Sequence, residues 1–452
     1  CALSTAPGAG AIALIRISGP QAVGIAGRMF QRTLEGKGSH QAIHGWIVDG
    51  DERIDEVMLT MFLAPRSYTG EDTVEIACHG SIYIQQRLLE LAMRYGARMA
   101  QPGEYTLRAF MHGKMDLSQA EAIGDLIASE SAAAHKQAVH QMRGGFSREI
   151  DALRSKLIHF ASMVELELDF SEEDVEFANR DQLRSLVTEI QGVVNHLKDS
   201  FRLGGALRNG VPVAIIGAPN AGKSTLLNAL LNEERAIVSD IAGTTRDTIE
   251  EQLIIEGVRF RFIDTAGIRE TTDHVERIGI TRALEKAHAA SVILLIFDAT
   301  TTSYEKFNEF RAFIRKEAGE DKWLIGLANK CDATGFDAMV FDKHFASDPD
   351  VLKISALRGV QLDRLKELLK SSIDMQRIHS GETLVMNARH HGALQCASEA
   401  LQECLQGLDA GVSGDLLAVD IRRTLYHLGE ITGQVSADDV LNNIFSSFCI
   451  GK

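Results

Sequence analysis

The 452-residue chain has no apolar run approaching the ~18 residues a membrane span needs, and no signal-peptide pattern. A membrane is therefore not an expected partner. Its six cysteines are scattered without paired spacing, which excludes a disulfide framework and reads as reduced thiols in a cytoplasmic protein. Aromatic residues are only 6% of the chain, fitting a helix-rich α/β protein better than a β-sandwich. Basic residues are also in deficit, 47 against 62 acidic, for a formal charge of −15. That balance weighs against tight, autonomous nucleic-acid binding, which depends on neutralising phosphates with Lys and Arg. Internal repeats and low-complexity tracts are missing. The chain opens at Cys1 and its first methionine is Met29, so a native N-terminus ahead of Cys1 is expected.

The texture changes along the chain. Up to about residue 112, strand-like runs such as Ala11–Arg16, Val57–Phe62 and Thr73–Ala77 alternate with Gly/Pro turns, the pattern of an α+β domain. From Asp116 to Phe201 proline is absent, and Leu153, Leu157, Phe160, Val164 and Leu168 recur at helical spacing. Strands and helices alternate from Val211 to about Ser371, as in a parallel sheet with crossovers. Helical periodicity returns after Arg389, through Leu401, Leu405, Leu416, Val419, Ile421 and Leu425. The expected organisation is multidomain, with an α/β domain inserted into a helical domain built from two stretches of chain. The stretch from Ala333 to Asp350 and the segment around Ser380-Gly381 fit this scheme least well.

Val213–Ile216 is a buried strand that runs into Gly217-Ala-Pro-Asn-Ala-Gly222-Lys223-Ser224, with Leu226, Leu227 and Leu230 starting a helix. This is G-x-x-x-x-G-K-S in its strand–loop–helix context. Backbone N–H groups from Asn220 to Thr225 turn inward on phosphates, and the helix N-terminus adds partial positive charge. Lys223 reaches the β- and γ-phosphates and the Ser224 hydroxyl holds Mg²⁺. Further along, Asp264-Thr265-Ala266-Gly267 supplies an aspartate that holds Mg²⁺ through water and a glycine N–H for the γ-phosphate. In Asn329-Lys330-Cys331-Asp332 the carboxylate of Asp332 accepts both guanine N–H groups, and Ser355-Ala356-Leu357 backs the base. In series these motifs specify GTP.

Ile268 follows the Asp-Thr-Ala-Gly motif, where Ras-like enzymes place the glutamine that orients water. An isoleucine cannot do so. A cation at the phosphoryl oxygens is worth ~10³–10⁵ in rate, and no arginine is assignable to that task. Asn220, with Ser239-Asp-Ile-Ala-Gly-Thr-Thr-Arg-Asp247, resembles the potassium-dependent GTPases of the translation-factor-related class. That resemblance implies K⁺ in place of an arginine finger, held by Asn220, Thr244 and the carbonyls of Ser239 and Ile241, with Thr245 on Mg²⁺. A turn residue after Pro219 is the other reading of Asn220.

The likeness extends over the whole chain. Pro102–Phe110, Gly113–Ala122, Gly8–Gly19, Glu165–Asp174, Gly429–Gly433 and the terminal Cys449-Ile-Gly-Lys452 resemble the MnmE (TrmE) family of tRNA wobble-uridine modification GTPases. The resemblance implies an α+β folate-binding and dimerising domain over 1–112, a discontinuous all-α helical domain over 113–208 and 373–452, and an inserted Ras-like α/β P-loop G domain over 209–372. It implies a homodimer whose G domains meet when GTP and K⁺ are bound, and a catalytic Glu276 that orients water indirectly. Glu276 also reads as a solvated residue at a helix start.

By the same resemblance, reduced folate (5-formyl- or methylene-tetrahydrofolate) is held by Arg16, Glu75, Lys114 and Lys452. Folate's anionic tail suits Arg and Lys, and a buried carboxylate at Glu75 suits the pterin N–H groups. Taken singly, Arg16 and Lys114 also read as surface charges, Glu75 as an exposed strand position, and Lys452 as a frayed end. Cys449 is either a buried small hydrophobe or a reactive thiol near the one-carbon unit. The implied partner is the FAD-dependent MnmG (GidA). With it the chain forms an aminomethyl or carboxymethylaminomethyl group at C5 of the wobble uridine, tRNA being bound mainly through the complex. Two rivals are a regulatory GTPase of ribosome assembly, for which no RNA-binding module is visible, and a folate-binding regulator.

Overall fold

The computed structural model describes residues 1–169, 180–232, 251–263, 284–319, 322–345, 348–374, 377–378, 382–435, 441, 444–446 and 448–451. The chain forms two compact units. One comprises residues 1–127, 138–194 and 392–452, the other residues 128–137 and 195–391.

The first unit opens with a five-stranded antiparallel sheet. Its strands are β1 (Ala2–Leu3), β2 (Ile12–Ser18), β3 (Gln41–Asp49), β4 (Glu52–Phe62) and β5 (Thr73–His79), in the order β1-β2-β5-β4-β3. Two-residue alternation decides which face is buried. In β2, Ala13, Ile15 and Ile17 enter the core, leaving Arg16 on the other face, where the register sets it opposite Glu75 of β5. Helices α1 (Ala22–Met29) and α2 (Ile82–Arg94) pack on the apolar face through Ile25, Met29, Leu88 and Leu91. Each such side chain, fully buried, contributes ~1.5–3 kcal/mol of transfer free energy.

Short helices α3 (Glu104–Met111) and α4 (Leu117–Ile127) follow, then α5 (Ala132–Met142), α6 (Gly145–Asp169), α7 (Arg180–Asp199) and α8 (Phe201–Asn209). In α6, Leu153, Leu157 and Phe160 are buried at 4- and 3-residue spacing, as the periodicity predicts; the side chains of Val164 and Leu168 lie outside the described residues. Among the last helices, α13 (Ala388–Ala410) and α14 (Gly414–Thr432), α14 packs along α6, and Arg154 donates to the Leu425 carbonyl at 2.5 Å. Here the expected apolar face is corrected. Leu416 and Val419 are 54% and 56% exposed, and α14 instead buries Leu417, Ala418, Ile421, Thr424 and Leu428.

The second unit holds a six-stranded sheet of order β11-β10-β9-β6-β8-β7. The strands are β6 (Val211–Ile216), β7 (Glu251–Ile255), β8 (Val258–Phe262), β9 (Val292–Asp298), β10 (Trp323–Asn329) and β11 (Val351–Lys353). All pairings are parallel except the β7–β8 hairpin. Both faces are covered, so the central strands read as continuous apolar runs. Val213, Ile215, Leu294, Ile296 and Leu327 face one core; Ala214, Ile216, Ile293, Leu295 and Ala328 face the other. Helices α9 (Lys223–Asn232), α10 (Tyr304–Ala318), α11 (Ala338–Phe345) and α12 (Leu362–Ser371) complete the unit. Helix α11 occupies the stretch after Asp332 that the sequence left unclear. The connection after β8 crosses from one side of β6 to the other, which makes the carboxyl end of β6 a topological switch point, the usual place for a ligand crevice.

Candidate functional site

A cleft of about 390 Å³ lies at that switch point, lined by Asn220, Gly222–Thr225, Asn329, Lys330, Asp332, Ala333 and Leu357. Two loops build it. The first joins β6 to α9, and its turn requires left-handed backbone at Asn220 (φ +60°) and Gly222 (φ +101°). Asparagine tolerates that region; at Gly222 a Cβ would lie 2.1 Å from Asn329 Nδ2, so only glycine fits. Lys223, the first residue of α9, folds back over the loop and donates from Nζ to the carbonyls of Gly217 and Ala218, both at 2.9 Å. Burial, with the nearby Lys286 cation, lowers its pKa from the ordinary lysine value. An anion in the loop would oppose both effects. Ser224 and Thr225 line the cleft one and two residues into α9, so a hydroxyl stands at the helix N-terminus where a phosphate-bound Mg²⁺ takes oxygen ligands.

The second loop follows β10. Asn329 is buried and joins the two loops. Its Nδ2 donates to the Ala221 carbonyl at 2.8 Å, while its Oδ1 accepts from the Ala356 N–H at 2.9 Å. Lys330, also left-handed (φ +68°), pairs with Asp298 at the end of β9 at 2.6 Å. Burial pushes the Asp298 carboxyl up, but hydrogen bonds from Lys330 and Thr300 outweigh it and hold it below the usual carboxylate range. Asp332 accepts from Ser355 Oγ at 2.6 Å, and this bond, with smaller contributions that include Arg358, keeps it ionised below the ordinary range. A carboxylate at the cleft mouth that is held by Ser355 and Arg358 of the segment after β11 retains lone pairs for a further donor.

The structure thus brings together Asn220, Ala221, Gly222, Lys223, Ser224, Thr225, Asn329, Lys330, Asp332, Ser355 and Ala356. Ser239, Ile241, Thr244, Thr245, Asp264, Thr265, Ala266, Gly267 and Glu276 lie outside the described residues. Asp298 and Arg358 join the site without having been singled out from sequence. A carboxylate ending the strand beside the P-loop strand is the signal that could have found Asp298.

A second constellation sits on the antiparallel sheet. Arg16 pairs with Glu75 at 2.7 Å, lies 5.5 Å from the ring centroids of both Tyr68 and Tyr105, and donates to the Gly451 carbonyl at 3.2 Å. Neither Arg16 nor Glu75 is freely exposed, at 15% and 22%. The C-terminal tail docks there. Ile450 bridges to Pro102, Gly103 N–H donates to the Cys449 carbonyl, and Ser4 Oγ donates to the Gly451 carbonyl at 3.1 Å. Gly451 has φ +98°, and a Cβ there would meet the Leu3 carbonyl oxygen at 2.3 Å. Cys449 is exposed, which removes the reading as a buried hydrophobe. Lys114 is exposed and donates to the Pro65 carbonyl at 2.9 Å; Lys452 lies outside the described residues.

A glycine-rich G-x-x-x-x-G-K-S loop after one strand, tied by the buried asparagine of an N-K-x-D motif that ends another, fits the class: this is a P-loop GTPase. The family-level comparisons narrow it. The model described as MnmE helical domain matches residues 117–449, and that described as GTP-binding protein TrmE N-terminus matches residues 1–114. The tRNA modification GTPase MnmE of Christiangramia forsetii is 51% identical over 467 residues, covering 100% of this chain and 98% of that protein. Its namesake from Cytophaga hutchinsonii is 52% identical over 452 residues, covering 100% and 97%. A solved structure of Era in complex with MgGDPNP and nucleotides 1506–1542 of 16S ribosomal RNA is 30% identical over 42% of this chain and 66% of its own, with a TM-score of 0.28. The chain belongs to the MnmE family. GTP or GDP and Mg²⁺ are accordingly its nucleotide and metal, and among the described residues no helix is long and apolar enough to cross a membrane.

Proposed function

We propose that this chain is a K⁺-stimulated, Mg²⁺-dependent GTPase of the cytoplasm that works as a homodimer in tRNA modification. Together with an FAD-dependent partner of the MnmG (GidA) type, it forms the 5-aminomethyl or carboxymethylaminomethyl group of the wobble uridine, using a reduced folate as one-carbon donor. The observation that carries the GTPase core is the Asn329 link, which holds the phosphate loop and the guanine loop in one cleft. Residues 220–225 would take the phosphates, Ser224 and Thr245 would ligate Mg²⁺, and Asp332 would read the base with Ser355 and Ala356 behind it. Asn220, which lines the cleft, would hold K⁺ through its side chain, and Ser239, Ile241 and Thr244 would complete that set. Mg²⁺ supplies charge neutralisation at the phosphates when bound. Glu276 would orient water, and Asp264, Thr265, Ala266 and Gly267 would sense the γ-phosphate.

The folate reading is supported by the Arg16–Glu75 pair between two tyrosines, a cation and a carboxylate presented side by side beneath the docked tail. Lys114 and Lys452 would bind the anionic tail, and Cys449 is a candidate reactive thiol. Domain boundaries at about 112, 208 and 372 belong to the same proposal. The deciding experiment is nucleoside analysis of tRNA from cells lacking the gene, complemented with wild type or Lys223→Ala. Wobble-uridine modification restored only by wild type supports the proposal; modification unaffected by the deletion, with loss of ribosomal subunits, would favour the ribosome-assembly reading.

A further inference from the structure

Ser355, Arg358 and Asp332 form a small device of their own at the cleft mouth. The segment after β11 is closed by two backbone hydrogen bonds between Ser355 and Val360, at 3.2 and 3.1 Å, and turned by Gly359. Within this turn Ser355 Oγ acts twice: it donates to Asp332 Oδ1 at 2.6 Å and accepts from the Arg358 N–H at 3.2 Å. The Arg358 side chain then reaches back, placing Nε 3.3 Å from Asp332 Oδ2. Asp332 is only 17% exposed while Arg358 is 70% exposed, so the guanidinium covers the solvent side of the carboxylate. Among the described residues, no other side chain is seen to hold Asp332 Oδ2.

A carboxylate offers about four acceptor positions. Ser355 and Arg358 take one on each oxygen, leaving one on each for a ligand. Guanine presents two donors on one edge, N1–H and the exocyclic N2–H, and fills both remaining positions. Hypoxanthine has only N1–H. Discrimination between these bases therefore depends on Asp332 keeping both oxygens in the plane of the base edge. A single bond from Ser355 leaves the carboxylate free to rotate about its Cβ–Cγ axis; a second on the other oxygen stops it.

We propose that Arg358 is a positioning residue for guanine specificity, which locks the Asp332 carboxylate in the orientation that accepts both N1–H and N2–H. This rests on Asp332 as the guanine acceptor. An exposed ion pair is a modest effect, so a change of ~3-fold is expected rather than loss of binding.

The test compares dissociation constants of GDP and inosine diphosphate for the full chain as wild type, Arg358→Ala, Arg358→Lys and Asp332→Ala, at low and high salt. The proposal expects Arg358→Ala to lower the IDP-to-GDP ratio of dissociation constants by ~3-fold, with IDP affinity little changed and Arg358→Lys recovering part of the ratio. Equal weakening of both nucleotides, relieved by salt, would make Arg358 a general attractor for phosphate and overturn the proposal. So would an unchanged ratio in Arg358→Ala. Failure of the underlying reading is separately visible: wild type without preference for GDP, or Asp332→Ala retaining that preference, would remove Asp332 from base recognition altogether.

Discussion

Asn329→Ala is the most informative single change, because one buried side chain holds two loops that are 108 residues apart along the chain. The substitution removes the 2.8 Å bond to the Ala221 carbonyl and the 2.9 Å bond from the Ala356 N–H. A neutral hydrogen bond contributes ~0.5–1.5 kcal/mol net, and a buried group left unpaired costs ~1–3 kcal/mol. Water entering from the adjacent cleft relieves part of that cost, so the expected loss is ~2–3 kcal/mol. For a unit of this size that is a fall of ~4–12 °C in unfolding temperature. The chain has two tryptophans, Trp46 in β3 and Trp323 in β10. In a Trp46→Phe background, Trp323 fluorescence reports on the strand that carries Asn329. Denaturant titration of that background with and without Asn329→Ala yields the difference directly. GDP affinity should fall ~10-fold or more, since the ligand must then align both loops itself. A stability change below ~0.5 kcal/mol would refute the view that this residue joins the two halves of the cleft.

Asn220→Gly preserves the left-handed turn and removes the carboxamide side chain, so GDP affinity should stay within ~3-fold while stimulation of hydrolysis by K⁺ over Na⁺ disappears; stimulation that persists would release Asn220 from the K⁺ role. Burial alone would raise the Glu104 carboxyl, but hydrogen bonds from Arg98, the Gln101 N–H and Arg108 bring it down to about 2 from 4.5. A depressed carboxylate stabilises the fold above its unfolded pKa and loses that contribution as pH falls. Glu104→Gln should therefore lower the unfolding temperature at pH 7, and the gap from wild type should close between pH 4.5 and about 2; a gap independent of pH would mean that the carboxylate charge is not the cause. Gly451→Ala cannot keep the docked tail, since its Cβ would meet the Leu3 carbonyl oxygen. Carboxypeptidase should trim this variant faster, and calorimetric titration should show weakened 5-formyltetrahydrofolate binding; unchanged binding with a loosened tail would exclude the tail from the folate site.

What the sequence disclosed was whatever local periodicity or contiguous motif can encode. The P-loop was legible because strand, glycine turn and helix start are consecutive, and β2 because Ala11–Arg16 is an apolar run set among Gly/Pro turns; which side chains enter the core, Ala13, Ile15 and Ile17, the structure adds. The phase of α14 was not legible. Leu416 and Leu417 are adjacent, so apolar spacing alone permits two faces, and packing along α6 selects the one carrying Leu417, Ile421 and Leu428. The segment after Asp332 was obscure for another reason: the helix is only eight residues long, too short for Phe341 and Phe345 to establish a periodicity, yet Phe345 packs with Phe297, Phe307 and Tyr304, and Phe341 with Phe336 and Phe345, to fix it. Tertiary contacts made that helix where propensity did not.

The parts of the site that escaped sequence reading share a physical character: each is a bond between loops that no pattern in either loop announces. Asn329 reads in its motif as a guanine-site residue, but its bonds go to Ala221 and Ala356, a carbonyl and an N–H that any residue type would provide. Arg358 belongs to no nucleotide motif, yet the turn closed by Ser355 and Val360 brings its side chain onto Asp332. Gly451 lies in a terminal motif whose spelling does not say that Arg16 and Ser4 will hold its carbonyl. For Asn329 and Gly451 the partners are backbone groups, which every sequence carries, and for Arg358 it is a backbone-closed turn that delivers the side chain; in each the chain path brings the partners within 3.5 Å. Substitutions that leave every motif intact but shift that path should therefore damage the site as severely as changes within the motifs. Gly326→Val in β10 is such a case, because its Cβ would lie 2.7 Å from the Phe307 ring while the register that places Asn329 runs through that strand.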